Sequence, residues 1–223
     1  MKRTPLSKRE LPAYTRGNEI ANMVTHIIGG AIGIVVLVFS ILFSVRHRNT
    51  FGIVSGCIYG ASMVSLYAVS SVYHGLKPGT GKKVMQVIDH CTIYFLIAGS
   101  YTPILLVSLR PVYPALAWTV FSAEWLLAAF AAVFTAIDHK KYGTLSMVFY
   151  IVMGWLVILI LRQTLTVLGT TGFLWLLAGG IAYTVGAVLY GVGSKRTVFH
   201  TVFHVFVDLG SLLQAVCILF YVL

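Results

Sequence analysis

Residues 23–45 read MVTHIIGGAIGIVVLVFSILFSV, and this stretch decides the fold class. None of its 23 residues is Asp, Glu, Lys or Arg. A helix of about 20 apolar residues crosses the roughly 30 Å of hydrocarbon in a bilayer. The run is also longer than the roughly 7–15 apolar residues of a secretory signal. It therefore predicts a transmembrane helix that is retained in the protein.

Six further apolar runs follow, separated by short connectors. They cover about residues 51–74, 87–108, 112–136, 144–161, 170–191 and 198–222. Charged residues make up only 10% of the 223-residue chain, against about 25% in soluble domains. This composition excludes a soluble fold. The sequence predicts an all-α integral membrane protein, with a seven-helix transmembrane bundle over residues 19–223 and a basic cytoplasmic tail at residues 1–18.

The basic residues fall unequally on the two sides of these runs. Because cytoplasmic loops carry the excess of Lys and Arg, the N-terminus is predicted to be cytoplasmic and Leu223 to lie on the opposite side. The net charge of +10 follows from this bias, and no basic face typical of nucleic-acid binding is present. The predicted cytoplasmic side has twelve basic residues and the other side four: Lys2, Arg3, Lys8, Arg9, Arg16, Lys77, Lys82, Lys83, Lys140, Lys141, Lys195 and Arg196 against Arg46, Arg48, Arg110 and Arg162.

Most histidines and acids lie at the predicted cytoplasmic ends of the helices. An ionisable side chain in lipid costs roughly 2.5–3.5 kcal/mol or more at the bilayer centre. Those within the spans are therefore expected to face the bundle interior and to find partners there. With one serine and one asparagine, the set is Glu19, Asn22, His26, Ser70, His74, Asp89, His90, Asp138, His139, His200, His204 and, a turn deeper, Asp208.

Three of these histidines form a candidate zinc site. His200 and His204 are four residues apart, so they share one helix face and can bind one metal ion. With His74 and a water molecule they would make an open tetrahedral site of the catalytic type. Asp89 could then accept a proton from that water, and Ser70 could donate to an oxyanion. Spacing alone leaves a second interpretation open, in which the histidines are hydrogen-bonded between helices.

The polar residues around this site have other expected roles. Glu19 and Asn22 are interpreted as structural, tying the first helix to the cluster. For His26, a structural role and a role in the site are both left open. His90 lies about 100° around the helix from Asp89 and is expected to face elsewhere.

Four ionisable residues lie further away. Asp138 and His139 are expected in a solvated connector. Glu124 is mid-span and is interpreted as a neutral, hydrogen-bonded core carboxyl, with a proton relay as the alternative. Asp208 is expected either to orient the imidazole of His204 or to perturb the site.

Five short motifs carry a resemblance to a known family: residues 19–22 (EIAN) with His26, 70–74 (SSVYH), 88–90 (IDH), 94–103 (YFLIAGSYTP) and 199–204 (FHTVFH). Their order and spacing resemble the hemolysin III branch of the progestin and adiponectin receptor (PAQR) family from about residue 17 to the C-terminus. The chain is more distantly similar to the alkaline ceramidases. The resemblance implies seven helices and an intracellular zinc site with His74, His200 and His204 as ligands. It also implies that Asp89 holds the water and that Ser70 is the family's helix-2 serine.

These features together predict a function at the membrane. The leading hypothesis is a zinc-dependent hydrolase, and the resemblance implies that it cleaves a lipid amide and acts in membrane homeostasis at a bacterial cytoplasmic (inner) membrane. A membrane lipid is the expected substrate or ligand. The alternative is a non-catalytic regulator or sensor in which zinc braces the helices. A hemolytic pore-former ranks lower, because no span has the polar stripe of a channel helix.

Overall fold

The computed structural model describes residues 4–193 and 196–223, and this part of the chain is helical apart from short connectors. Lys2, Arg3 and Lys195, which contribute to the charge bias, lie outside the described residues. Short 3-10 turns occupy Leu6–Lys8 and Leu156–Ile160, and π-helical turns extend α3 and α7 over Ile104–Leu109 and Ile218–Val222. The helices are α1 (Arg16–Arg46), α2 (Thr50–Gly75), α3 (Thr80–Pro103), α4 (Pro114–Asp138), α5 (Gly143–Gly154), α6 (Leu161–Val192) and α7 (Val198–Cys217).

Six helical stretches among the described residues are long and apolar enough to cross a bilayer: Arg16–Arg46, Thr50–Gly75, Thr80–Leu109, Pro114–Asp138, Gly143–Val192 and Val198–Val222. The prediction of an all-α integral membrane protein is thereby confirmed. Five stretches each correspond to one predicted run, and Gly143–Val192 corresponds to the other two.

The stretch Gly143–Val192 changes direction inside its 50 residues. Gly169 has φ 66° and ψ 173°, in the region that favours glycine over residues with a side chain. The indole Nε1 of Trp155 donates a hydrogen bond to Thr184 Oγ1 at 3.0 Å. These two residues are 29 positions apart, which a straight helix would separate by about 44 Å. The segments before and after Gly169 therefore lie side by side.

The helix starts follow from local sequence. Thr15 Oγ1 accepts a hydrogen bond from the backbone N–H of Asn18 at the start of α1. Asn49 Oδ1 accepts one from Gly52 N at the start of α2. Pro114 is the first residue of α4, a position at which a backbone N–H would have no partner within the helix. The lack of an N–H in proline therefore costs no hydrogen bond there. Each start satisfies or avoids a free backbone donor that the bilayer would otherwise penalise.

Close approach of α1 and α2 depends on glycine. A Cβ atom at Gly56 would lie 2.7 Å from Ser40 Cβ, and one at Gly60 would lie 2.6 Å from Leu37 Cβ. Small residues let transmembrane helices approach this closely. Large apolar side chains such as Leu126 and Phe130 remain exposed on the outside of the bundle, as a lipid-facing surface requires.

The N-terminal segment, residues 4–15, lies across the ends of α3 and α4. The buried Arg9 donates to the carbonyl of Ile137, and Thr4 N donates to Asp138 Oδ2 at 3.3 Å. Lys83 Nζ donates to the carbonyl of Ser7 at 3.0 Å. The prediction that Asp138 is solvated is therefore wrong: it is 2% exposed, because the N-terminal segment covers it.

Candidate metal centre

Three imidazoles converge where α2 ends and α7 begins. His200 Nε2 lies 3.3 Å from His74 Nε2 and 3.1 Å from His204 Nε2. All three side chains are buried, and each offers a ligand atom within 4.8 Å of the others. We call His74, His200 and His204 the histidine triad. The structure thus brings together the three predicted metal ligands.

The hydrogen bonds around the triad determine which ring nitrogen points inward. Glu19 Oε2 accepts from His74 Nδ1 at 2.6 Å. The backbone carbonyl of Asn22 accepts from His204 Nδ1 at 3.2 Å. The protons of these two neutral rings are therefore assigned to Nδ1, which leaves both Nε2 lone pairs facing His200.

This arrangement fits a metal ion better than a hydrogen-bonded cluster. A neutral His200 can supply at most one ring proton to the two lone pairs that face it. A tetrahedral zinc ion with Zn–N bonds of about 2.0–2.1 Å separates its ligand nitrogens by about 3.3–3.4 Å. The observed separations of 3.3 and 3.1 Å are close to that value. The three imidazoles therefore fit a metal ion such as zinc.

Asp89 and Ser70 lie beside the triad, on the wall of a cavity that His200 and His204 also line. Both side chains are buried, and the Ser70 hydroxyl is a neighbour of the Asp89 carboxyl group. A hydroxyl and a carboxyl group thus face the space next to the candidate metal ligands. This is the placement expected of groups that act on a bound molecule.

The cavity has a volume of about 150 Å³ and lies between α3, α5, α6 and α7. Its wall is mainly apolar and aromatic, with residues such as Ile93, Leu96, Trp155 and Phe203. It extends along α7 to Gln214, roughly 21 Å from His200 at 1.5 Å per residue. The polar residues of the wall thus lie near the triad, and apolar residues line the rest of the cavity.

His26 and His90 also line this cavity. The prediction that His90 faces elsewhere is wrong: its Nδ1 lies 3.7 Å from Asp89 Oδ2 and donates to the Gln86 carbonyl at 2.8 Å. Asp89 and His90 are about 100° apart around α3, and both side chains line the cavity. His26 packs against His204 and so belongs to the site.

Two other acids stay outside the triad. Asp208 does not orient His204, whose Nδ1 is taken by the Asn22 carbonyl, and Asp208 Oδ1 has no hydrogen-bond partner within the described residues. Glu124 is fully buried, but neither carboxyl oxygen has a partner in the described chain. The predicted burial of Glu124 is confirmed, while the described residues supply no hydrogen bond to its carboxyl group.

Sequence reasoning missed two residues of the site. The ring of Tyr14 stacks on His200 with centroids 5.1 Å apart and lies 5.7 Å from that of His74. Burial raises the pKa of the Tyr14 phenol, and Tyr73 and Tyr190 add to the shift, so the hydroxyl stays neutral. Tyr14 precedes α1 in a segment without helical periodicity, so no pattern marks it.

Lys82 is the second residue that was missed. It is 3% exposed, and its Nζ lies 2.7 Å from Glu19 Oε1. Its sequence context indicates only a basic connector, because lysines of that kind are common at cytoplasmic helix ends.

Comparison with known proteins identifies the family. The family described as "Haemolysin-III related" matches residues 14–215. Hemolysin-3 of Bacillus cereus is 38% identical over 205 residues, which are 92% of each chain. The Hemolysin-3 homolog of Bacillus subtilis (strain 168) is 39% identical over 208 residues, 93% of this chain and 96% of the relative.

A mammalian relative extends this likeness. The human monocyte to macrophage differentiation factor is 30% identical over 162 residues, which are 69% of this chain and 64% of that protein. The family match contains the triad, Asp89, Ser70 and Tyr14. The expectation drawn from the five motifs is therefore confirmed: the chain belongs to the haemolysin-III related family.

Proposed function

We propose that this protein is a zinc-dependent hydrolase that cleaves the amide bond of a membrane lipid. The observation that carries the proposal is the histidine triad, whose three Nε2 atoms converge at the end of a long apolar cavity. Three imidazoles with an open fourth position are the ligand set of many catalytic zinc sites. The apolar cavity would hold the acyl chain and leave the carbonyl at the triad.

The proposal includes an orientation in a bacterial cytoplasmic membrane. We propose seven crossings, with the N-terminus in the cytoplasm and the triad near the inner leaflet. The turn at Gly169 and the bond between Trp155 and Thr184 support two crossings within Gly143–Val192. The bias of Lys and Arg towards one side supports the direction.

Zinc supplies a Lewis acid that makes water a nucleophile at neutral pH and polarises a carbonyl. Asp89 accepts a proton as water adds to the carbonyl carbon, and Ser70 donates a hydrogen bond to the oxygen that becomes negative. The carbon–nitrogen bond then breaks, and Asp89 returns its proton to the leaving amine. The products are a fatty acid and an amine, and the carboxyl group of Asp89 is restored.

Metal content tests the first part of the proposal. Protein purified in detergent is analysed for zinc as wild type, His200→Ala and His47→Ala. His47 is a suitable control because it bonds to the Leu223 carbonyl, away from the triad. We expect about one zinc per chain in wild type and His47→Ala and a large loss in His200→Ala. Equal zinc in all three, or none in wild type, would reject the site.

Asp89→Asn tests the chemistry. It should keep the metal and lose most of the hydrolysis of an N-acyl lipid in mixed micelles, since the amide of Asn cannot accept the proton.

The alternative function, a non-catalytic regulator, makes the opposite prediction. It is favoured by the way the triad joins α2 to α7, because zinc would then brace the bundle and Asp89→Asn would retain the protein's effect on the membrane.

A further inference from the structure

We propose that Glu19 and Lys82 form a charged pair that positions His74 as a metal ligand. The inference rests on the proposed zinc site and concerns two residues that do not touch the metal. Glu19 uses both carboxylate oxygens: Oε2 lies 2.6 Å from His74 Nδ1, and Oε1 lies 2.7 Å from Lys82 Nζ. The three side chains come from α1, α2 and α3.

Lys82 is fixed by more than the carboxylate. Its Nζ also donates to the carbonyl of Leu76 at 3.0 Å and to that of His74 at 3.4 Å. These carbonyls belong to the end of α2, where backbone acceptors lack helical partners. Lys82 therefore holds both the helix end that carries His74 and the carboxylate that contacts its ring. A lysine is almost never this buried unless its charge is paired.

The pair has a direct consequence for the ligand. A carboxylate that accepts the Nδ1–H of a histidine fixes its tautomer and ring orientation and makes Nε2 a better donor to a metal. Lys82 restricts the orientation of that carboxylate and balances its charge. At His204 Nδ1 the neighbours are neutral, the Asn22 carbonyl at 3.2 Å and Thr25 Oγ1 at 3.5 Å, and His200 Nδ1 has no partner among the described residues. Among the described residues, His74 is therefore the one triad member whose Nδ1 contacts a carboxylate.

A simpler role for the pair is to clamp α1, α2 and α3 together. The two roles differ in what they affect. A clamp stabilises the metal-free protein, whereas a positioning pair also sets metal affinity and the geometry of the bound ion. The chain offers a matched control in Glu10 and Lys140, which form an ion pair at 3.0 Å with side chains 81% and 74% exposed.

The test is zinc affinity, measured by chelator competition on detergent-purified protein. The variants are Glu19→Gln, Lys82→Met, the double variant and Glu10→Gln. We expect Glu19→Gln to weaken binding roughly 10–100-fold and Lys82→Met to weaken it less. The double variant should resemble Glu19→Gln alone, because Lys82 acts through Glu19. Glu10→Gln should bind as wild type does.

Cobalt substitution adds a readout that a clamp would not change. The visible spectrum of the cobalt protein should differ between wild type and Glu19→Gln, because the ligand field of His74 changes. The inference is overturned if Glu19→Gln binds zinc within threefold of wild type, or if the losses in the two single variants multiply in the double variant. Wild-type protein that binds no zinc would instead reject the proposed function itself.

If Glu19→Gln does not accumulate as folded protein, the tautomer can be read directly. In 15N-histidine spectra of the zinc-loaded wild type, one imidazole should carry a strongly hydrogen-bonded proton on Nδ1, and Lys82→Met should shift its resonance. An unchanged resonance in Lys82→Met would overturn the inference.

Discussion

The ring of His26 lies flat on the ring of His204, with centroids 3.6 Å apart and an angle of 8° between the planes. The rings of His26 and Tyr67 are in a T-shaped contact, with centroids 5.1 Å apart. Neither nitrogen of His26 has a hydrogen-bond partner within the described residues. His26 therefore supports His204 through the face of its ring rather than through a hydrogen bond.

This contact predicts that the shape of residue 26 matters more than its nitrogens. His26→Ala removes the surface behind His204 and should lower zinc affinity by about tenfold, the low end of the range for residues that orient ligands. His26→Phe keeps a flat ring and should bind zinc within a few-fold of wild type. Chelator competition measures both. A loss in His26→Phe as large as in His26→Ala would show that the nitrogens are needed.

Tyr14 is predicted to limit access to the triad from the side that is cytoplasmic in the proposed orientation. Loss of one aromatic contact costs about 0.5–1.5 kcal/mol, which corresponds to roughly two- to tenfold easier opening. Zinc should therefore pass to a hydrophilic chelator about two to ten times faster in Tyr14→Ala than in wild type. Tyr14→Phe keeps the stacked ring and should release zinc at the wild-type rate. Equal rates in all three proteins would mean that Tyr14 does not cover the site.

Gly29 and Gly30 are adjacent on α1 but should respond differently to alanine. A Cβ at Gly29 would lie 2.6 Å from Tyr67 Cε1, whereas one at Gly30 would lie 3.6 Å from Tyr67 Cβ, an ordinary contact. Gly29→Ala should destabilise the protein by about 1–3 kcal/mol through overpacking. Gly30→Ala should be neutral or stabilising by up to about 1 kcal/mol, because alanine favours the helix. Thermal unfolding in one detergent compares them, and equal midpoints would contradict the prediction.

The lowered pKa of His139 leads us to expect that the stability of the protein depends on pH. Burial lowers its pKa from 6.5 to about 4, and the nearby His90 and Arg9 contribute to the shift. Because the unfolded chain binds the proton more readily, the contribution of His139 to stability is complete above about pH 6.5 and is lost as the pH falls towards 4. The unfolding temperature of metal-free protein should therefore fall less in His139→Gln than in wild type between pH 7 and 4.5. Parallel curves would contradict the assignment.

The triad could be predicted from sequence because its geometry is mostly local. His200 and His204 share a face by helical spacing alone, and the apolar runs place His74 at the same membrane level. The orientation of a residue towards a particular neighbour is not local. Asp208 shares the face of His204, yet the Nδ1 of that ring points to a carbonyl on α1. His90 also lines the cavity, although it lies about 100° around α3 from Asp89. A helical wheel shows this angle but not how much of the helix surface a cavity covers.

The N-terminal segment could not be predicted for a different reason. Its contacts, such as those of Arg9 with Ile137 and of Tyr14 with His200, join residues more than a hundred positions apart. No helical period links such residues, so the sequence indicates only a basic tail. Gly169 shows the opposite case: the predicted runs 144–161 and 170–191 bracket the turn, but only the backbone angles identify the residue that makes it.

Lys82 has different surroundings during membrane insertion and in the assembled bundle. In the proposed orientation, when α2 and α3 enter the membrane, the ammonium group of Lys82 is still in water beside Lys77 and Lys83. At that stage it helps to retain the connector on the cytoplasmic side. Once the helices assemble, the same group leaves water and lies against Glu19. In the proposed orientation, one lysine therefore serves first the topology of the connector and then the order of the candidate metal centre.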